Sequence, residues 1–275
     1  MTRGAPFRIA LVQMVSTPRV AENLDAAGRL IARAAGKGAQ LVALPEYFCI
    51  LGMRDTDKVA VREKEGAGPI QEFLSASARK HAVWLVGGSV PLECADPGKV
   101  RNSCLVYDSQ GKRVARYDKI HLFGLELDRE RFDEARTIEA GASPCSIESP
   151  FGRIALSVCY DVRFPELYRA LAPVDLILVP SAFTATTGRA HWETLLRARA
   201  IENLAWVLAP AQGGRHANGR RTHGHSMVVD PWGKVVAERA TGAGVVLADI
   251  DPGFQAKMRE TLPALTHRVL RGQQG

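Results

Sequence analysis

A cysteine that could act as a nucleophile follows an apolar, strand-like run in the segment RIALSVCYDVRFPEL. Cys159 stands at the end of this run, just before a turn and a short helix predicted to begin near Phe164. On such a strand-to-helix turn a side chain projects clear of the sheet, and the backbone N–H of the next residue, Tyr160, points toward the group that is attacked. The segment therefore predicts a nucleophilic thiol, although a free cysteine is more often a small buried hydrophobic residue.

A thiol nucleophile needs a neighbouring base or cation at neutral pH, because the ordinary pKa of a cysteine is about 8.5. Two charged residues lie at the ends of strand-like runs: Glu46 in LVALPEYF and Lys119 in ARYDKIHLF. In isolation each of them is also compatible with a solvated surface position. Pairing of the cysteine with a histidine is the alternative, but the segment typical of papain-like nucleophiles is missing from the sequence. The available histidines are His121, His191, His216, His223 and His225.

Apolar runs of strand length recur along the chain and alternate with helix-length stretches. The runs predict buried strands at 8–14, 40–46, 83–90, 102–108, 153–159, 176–183, 205–212, 225–230 and 244–250. Helices are predicted over 22–38, 69–82, 164–172 and 191–204. The turn sequences DSQGK and DPWGK each separate two strand-like runs and indicate hairpins. The sequence therefore predicts an α/β protein with partly antiparallel sheets.

The two halves of the chain share a short repeat. RIAL occurs at 8–11 and again at 153–156, and each copy is followed by a similar second run, LVALPEYF or LILVPSAF. Four-residue matches also arise by chance in chains rich in alanine and leucine. Because no Ser/Gly/Pro-rich linker separates the halves, the repeat favours two related half-sheets packed on one another in a single sandwich.

Composition restricts the classes to which the chain can belong. Its 275 residues, 46% of them hydrophobic, are sufficient for one large α/β domain with a sizeable core. The net charge of +7 is spread along the chain without a nucleic-acid-binding motif, and we therefore expect no nucleic-acid partner. No apolar run is long enough to cross a bilayer and no signal-peptide pattern is present, which predicts no membrane association. Five cysteines without a CxxC pair predict free thiols in the reducing cytoplasm.

Three segments, LPEYF, YDKIHLF and CYDVRFPEL, occur in the order of the signature segments of the nitrilase superfamily of carbon–nitrogen hydrolases, which they resemble. The resemblance implies a four-layer αββα sandwich in a single domain over 1–275, with a core of about 8–268 and a C-terminal tail beyond. It also implies that Glu46 is the general base, Lys119 the cation that stabilises the oxyanion, and Cys159 the nucleophile. Glu134, in the segment FDEA, matches a second glutamate of the family, although this charged loop is also compatible with a solvated surface.

Two further segments, PSAFTATTGRAHWETLLRARAIEN and AQGGRHANGRRTHGHSMVVDPWG, resemble the Nit branch of the superfamily. That resemblance implies an amidase acting on an α-keto-glutaramyl substrate, with deaminated glutathione as the first candidate; the alternatives are an ω-amidase acting on α-ketoglutaramate or another carbon–nitrogen hydrolase of small amides. The GRH sequence at 214–216 favours the first. Because such substrates are anionic, a cation is expected near the reacting amide. The candidate substrate-binding residues are Tyr160, Arg163, Thr187, Arg215 and His216, with the last two at the far end of a long substrate. The alternatives are that Arg163 pairs with Asp161 or Glu166 and that the 215–221 run is a solvated turn.

The sequence gives no indication of a cofactor. His216, His223 and His225 have neither the spacing nor the accompanying carboxylates of a usual metal site, and no phosphate-binding glycine loop occurs, so we expect neither metal nor organic cofactor. The apolar face of 191–204 is predicted to pack in the core or at a subunit interface, and a homodimer or higher homo-oligomer is expected. A noncatalytic scaffold is the remaining alternative, and the presence of all three triad residues disfavours it.

Overall fold

Two β-sheets face each other in the computed structural model, which describes residues 4–127 and 130–270. The strands are β1 (Phe7–Gln13), β2 (Leu41–Ala43), β3 (Trp84–Val86), β4 (Val90–Leu92), β5 (Arg101–Tyr107), β6 (Arg113–Asp118), β7 (Gly124–Leu127), β8 (Glu130–Asp133), β9 (Cys145–Ser149), β10 (Gly152–Leu156), β11 (Leu176–Leu178), β12 (Trp206–Ala209), β13 (Ser226–Val229), β14 (Val235–Arg239) and β15 (Gly244–Ile250). The helices are α1 (Val20–Ala35), α2 (Asp57–Ala60), α3 (Pro69–His81), α4 (Pro165–Leu171), α5 (Ala185–Asn203) and α6 (Pro252–Thr261), and 3₁₀ turns span Glu134–Arg136 and Cys159–Arg163.

Both sheets are mixed. The first has the order β15-β1-β2-β3-β5-β4, with β6 paired to β5, and the second has the order β14-β13-β12-β11-β10-β9. The strands β1, β2 and β3 are parallel, as are β10, β11 and β12, while the outer strands run antiparallel to them. The predicted hairpins at DSQGK and DPWGK join β5 to β6 and β13 to β14. A separate ribbon is formed by β7 and β8.

The alternation of side chains along β1 builds the layers. Ile9 and Leu11 are buried in the cluster that lies between the two sheets, whereas Ala10 and Val12 are buried against α1 and α3. This is expected because successive side chains of a strand point to opposite faces. On the other side, α4 and α5 cover the second sheet. The predicted four-layer αββα sandwich is thereby confirmed.

The two copies of RIAL occupy corresponding strands of the two sheets. The first copy lies in β1, where Ile9 is opposite Leu41 of the parallel strand β2. The second lies in β10, where Ile154 is opposite Leu176 of the parallel strand β11. Parallel strands end at a common edge of their sheet. The segments that follow β1 and β2 therefore lie at one edge of the first sheet, and those that follow β10 and β11 lie at one edge of the second.

Several predicted elements have other bounds in the structure, and two of these differences have a clear local cause. The run 83–90 is divided into β3 and β4 at Gly88, which has a φ of 57° and lies so close to the turn before Glu46 that a Cβ would be 2.0 Å from the Pro45 oxygen. The helix predicted over 191–204 begins at Ala185, because the Thr184 hydroxyl accepts a hydrogen bond from the Thr187 amide and caps it. Within the described residues no helix has the length and apolarity needed to span a membrane.

Candidate active site

Four reactive side chains converge at the edge where the parallel strands end. Glu46 follows β2, Lys119 follows β6, Glu134 begins a 3₁₀ turn after β8, and Cys159 begins the 3₁₀ turn after β10. Glu46, Lys119 and Cys159 are 1%, 1% and 7% exposed. Charged groups are buried to this degree only when they are paired or hydrogen-bonded, and each of the charged side chains here is.

Glu46 is held by three donors. Its Oε1 accepts hydrogen bonds from Lys119 Nζ at 2.9 Å and from Asn102 Nδ2 at 3.0 Å, and its Oε2 accepts one from the Ala182 amide at 2.9 Å. These contacts come from both sheets, because Asn102 belongs to β5 and Ala182 follows β11. The carboxylate is thus fixed in the space between the sheets, and no sequence pattern indicated the Asn102 contact.

Lys119 lies between two carboxylates. Besides its contact with Glu46, its Nζ donates to Glu134 Oε2 at 2.8 Å and to Glu134 Oε1 at 3.1 Å. Glu134 is fixed in turn, because its Oε1 accepts from the Tyr47 hydroxyl at 2.8 Å and its Oε2 accepts from the Phe123 amide at 2.7 Å. The resulting Glu–Lys–Glu chain has a fixed geometry before any substrate binds.

The charges of this chain stabilise one another. Burial alone would lower the pKa of Lys119, but Glu134 and Glu46 raise it well above its usual value. Burial acts to raise the pKa of Glu134, and Lys119 outweighs this effect and lowers the pKa. Lys119 is therefore an ammonium and Glu134 a carboxylate at neutral pH.

Cys159 has an unusual backbone conformation for a residue with a side chain. Its φ is 51°, in the left-handed region, and its N–H donates to the Pro180 carbonyl at 2.9 Å. Such strain is typical of functional turns that the surrounding structure fixes. Burial raises the pKa of its thiol well above the usual value, and Glu46 adds to this effect more than Lys119 opposes it. The resting side chain is therefore a neutral thiol, and Glu46 is close enough to influence its ionisation.

We predict that Cys159 carries no thiolate at about pH 7.5, because its pKa lies above its ordinary value and deprotonation becomes favourable only at higher pH. The measurement is the ultraviolet absorbance of thiolate in the wild type minus that in Cys159→Ala. A difference close to zero at this pH is expected. A full thiolate equivalent would show that the cysteine is ionised at rest.

Asp161 joins the segments that carry Lys119 and Cys159. It is fully buried, and its Oδ2 accepts from the Tyr117 hydroxyl at 2.7 Å and from the Val158 amide at 2.8 Å. Its Oδ1 accepts from the His121 amide at 3.0 Å and lies 2.8 Å from His121 Nδ1. Tyr117 and His121 flank Lys119, and Val158 precedes Cys159, so this carboxylate fixes the distance between the ammonium and the thiol.

We therefore expect Asp161→Asn to lower kcat by about tenfold to a hundredfold, because a small displacement of reacting groups has effects of this size. The side-chain amide of this variant also directs an N–H at a backbone amide that donates to Asp161 in the wild type. This contact between two donors costs about 1–3 kcal/mol of stability. Steady-state rates and thermal unfolding measure the two effects. Asp230→Asn is the matched control, since this buried aspartate accepts from the amides of Trp232 and Lys234 in a hairpin turn. Equal losses of activity in both variants would contradict a positioning role.

An inner cavity opens beside Cys159. Its wall includes three of the residues proposed from the sequence, Tyr160, Arg163 and Thr187. The Arg163 guanidinium lies 5.6 Å from the Tyr160 ring centre and 5.3 Å from that of Phe183, and its Nη1 is 3.2 Å from His191 Nδ1. Arg163 forms no ion pair with Asp161 or Glu166 among the described contacts, so its charge is free to bind an anion.

Arg215 and His216 do not line this cavity or the chamber outside it, contrary to the prediction. His216 is buried, with Nδ1 2.9 Å from the Ser16 carbonyl and Nε2 2.8 Å from the Thr222 hydroxyl, so both ring nitrogens already have partners. Arg215 is exposed, and its backbone forms a bridge with Arg221 on the far side of a turn. His216 therefore fixes the loop 214–222.

The same loop carries a residue that the sequence did not single out. Arg220 lies at the junction of the inner cavity with a wider outer chamber, and Phe123 and Glu134 contribute to the wall of both. Lys58 of α2 also lines the outer chamber. The available signal was the Arg-rich run GRHANGRRTHG, but alternation along it leaves open which arginine turns inward.

The histidine cluster does not form a metal site. His223 and His225 stack with their ring centres 4.2 Å apart, and His225 Nδ1 contacts Glu238. Burial lowers the pKa of His223 to about 4, and the neighbouring His225 adds to this. Within 4–127 and 130–270, no group of three His, Cys, Asp or Glu side chains is arranged to hold a metal ion.

Comparison with known proteins places this site in a family. Residues 8–260 match the sequence profile of the carbon-nitrogen hydrolases. The chain belongs to the carbon-nitrogen hydrolase family. Among curated relatives of this hydrolase, it is 42% identical over 270 residues to a deaminated glutathione amidase of Synechocystis sp., covering 96% of this chain and 98% of the relative. It is 38% identical over 267 residues to omega-amidase NIT2 of Xenopus tropicalis, covering 96% and 95%.

Solved structures agree with this assignment. Saccharomyces cerevisiae Nit3, described as a member of branch 10 of the nitrilase superfamily, superposes on this hydrolase with a TM-score of 0.87 at 31% identity, covering 96% of this chain and 97% of Nit3. The resemblance of the three signature segments to the nitrilase superfamily is thereby confirmed, and the chain is an enzyme of the carbon-nitrogen hydrolase class.

Proposed function

We propose that this hydrolase is an amidase that cleaves the amide of an α-keto-glutaramyl compound, deaminated glutathione, through a thioester on Cys159. The observation that carries the proposal is the placement of Cys159 in the wall of a cavity that Glu46, Glu134 and Arg163 also line, with the Lys119 ammonium bound between the two glutamates. The names of the relatives support the substrate, since a deaminated glutathione amidase and an omega-amidase both match nearly the whole chain.

In the first half-reaction, the Cys159 sulfur attacks the amide carbon while Glu46 takes the thiol proton. This order suits a thiol that is neutral at rest. The negative charge that develops on the carbonyl oxygen is stabilised by the Lys119 ammonium and by the Tyr160 amide. When the intermediate collapses, the C–N bond breaks and Glu46 gives its proton to the departing amine, which leaves an acyl group on the sulfur.

In the second half-reaction, Glu46 deprotonates a water molecule that attacks the thioester carbon. The C–S bond then breaks, the acid product is released, and the proton returns to the Cys159 thiolate. Glu134 keeps Lys119 charged and correctly directed throughout, because it contacts Nζ with both oxygens.

The substrate-binding proposal rests on charge. An α-keto acid carries a carboxylate, and a buried carboxylate requires a cation or hydrogen-bond donors. Arg163 supplies the guanidinium, and the Thr187 hydroxyl, on the same wall, is a second donor. Both line the inner cavity with Cys159, so we place the keto-acid part of the substrate in that cavity and the leaving amine toward the outer chamber.

The test is hydrolysis of deaminated glutathione, α-ketoglutaramate and plain ω-amides without a keto group, measured as kcat/KM. We expect the highest value for deaminated glutathione and little turnover of the plain amides. A higher value for α-ketoglutaramate would support the ω-amidase alternative. Absence of turnover with both keto amides would refute the substrate class, and no amide hydrolysis at all would support a scaffold.

We also propose that the protein works as a homo-oligomer in the cytoplasm. Trp232 and Ile201 are 55% and 46% exposed, and the turn that carries Trp232 packs against Ile201 through Gly233, which places two exposed apolar residues in one region of the α5 surface. All five cysteines are free thiols, as a reducing compartment would maintain them. Light scattering measures the assembly.

A further inference from the structure

The outer chamber contains two cations without an ion-pair partner among the described residues. Arg220 donates from Nη2 to the Ala182 carbonyl at 3.0 Å, and its guanidinium lies 5.0 Å from the centre of the Phe132 ring. Its Nε is buried and has no hydrogen-bond partner in the described structure. A buried N–H without an acceptor costs stability unless a ligand supplies one.

Lys58 is the second cation. Its Nζ donates to the Thr137 hydroxyl at 3.1 Å and lies 5.6 Å from the centre of the Tyr47 ring. Burial is the largest effect on the pKa of Lys58 and lowers it. Asp55 and Glu134 act against this, and the positive charge of Arg220 adds to it. Lys58 and Arg220 therefore lie near each other on the wall of a partly desolvated space, where a bound anion would stabilise both charges.

Carboxylates also line this chamber, but among the described residues none of them forms an ion pair with Arg220 or Lys58. Glu134 is occupied by Lys119, by the Tyr47 hydroxyl and by the Phe123 amide. Asp55 and Asp133 line the chamber as exposed residues, so solvent screens them. Arg220 and Lys58 therefore keep positive charge on the chamber wall that a bound anion can pair with.

We infer that Arg220 and Lys58 form a second anion subsite that binds a carboxylate at the far end of the leaving group. The inference rests on the proposed function, in which the acyl part lies in the inner cavity and the amine departs outward. Arg220 stands where the two spaces meet, and its planar guanidinium suits a carboxylate. The substrate class is thus an α-keto-glutaramyl amide of a short peptide with a free terminal carboxylate. An ω-amide whose leaving group is ammonia makes no contact there.

The test compares two α-ketoglutaramyl dipeptides that differ only in a terminal carboxylate or carboxamide. We expect the wild type to favour the carboxylate by roughly tenfold to a hundredfold in kcat/KM, as a charge-assisted contact provides. In Arg220→Gln and in Lys58→Gln this preference should fall severalfold, and in the double variant it should approach one. The ratio is informative because a general loss of activity affects both substrates equally. Arg215→Gln, an exposed arginine of the same loop, is the matched control and should keep the wild-type preference.

A preference near one in the wild type, or one that survives both substitutions, overturns the subsite. Because Arg220 also contacts the carbonyl of Ala182, whose amide binds Glu46, Lys58→Gln provides a variant remote from that contact. Equal hydrolysis of both dipeptides refutes the subsite and leaves the proposed function intact. If neither the dipeptides nor α-ketoglutaramate are hydrolysed, the proposed function fails and the subsite fails with it.

Discussion

Cys159→Ala is expected to lower kcat by at least about four orders of magnitude. The catalytic residues act as a unit, and loss of the nucleophile from such a unit has effects of this size. The fold should survive, since the substitution removes one sulfur atom from a turn held by the Cys159 amide and by Asp161. Amide hydrolysis and thermal unfolding, measured on the same preparation, separate the two effects.

Cys104→Ala is the matched control for this experiment. Cys104 is completely buried between the sheets, and burial raises the pKa of its thiol above the usual range, so it has the environment of a structural cysteine. The Cys104→Ala variant should lose some stability and keep its activity. More than a tenth of the wild-type rate in Cys159→Ala would remove this residue from the mechanism.

Lys119→Met is expected to abolish activity and to destabilise the fold by about 3–5 kcal/mol, the cost of removing one partner from a buried ion pair. Without the ammonium, the carboxylates of Glu46 and Glu134 face each other in a site where both are buried. Denaturant unfolding at neutral pH measures the loss. The destabilisation should decrease at low pH, because protonation of either carboxylate removes the repulsion.

The double variant Lys119→Met with Glu134→Gln distinguishes the electrostatic cause from a packing defect. Removing the second charge should recover a substantial part of the stability but none of the activity, since the cation that stabilises the oxyanion is still missing. If stability is not recovered, the ion pair is not the cause of the loss.

The architecture is largely predictable because the apolar runs are long and the hairpin turns are specific. Local sequence patterns predict the strands after the two RIAL copies, the turns at DSQGK and DPWGK, and the four-layer sandwich. Helix α6 and the ribbon of β7 and β8 lack such a pattern. They form because tertiary contacts stabilise them.

The reactive side chains at strand ends could be predicted because parallel strands bring their ends to one edge. The residues that line the cavity were harder to predict from the sequence. Arg215 and Arg220 are five positions apart in one loop, and the buried contacts of His216 with Ser16 and Thr222 decide which of them turns inward. These contacts are long-range, and the composition of the loop does not encode them.

Hydrolysis through Cys159 requires both keto amides to form the same acyl-enzyme, and the partition of this intermediate between water and a second nucleophile can be measured. Hydroxylamine competes with water for a thioester, so the ratio of hydroxamate to free acid reports on the species that both attack. We predict the same ratio from α-ketoglutaramate and from deaminated glutathione at a given hydroxylamine concentration, because their different leaving groups have departed before water attacks. Ratios that differ between the two substrates, or hydrolysis of both without any hydroxamate, would contradict the thioester mechanism.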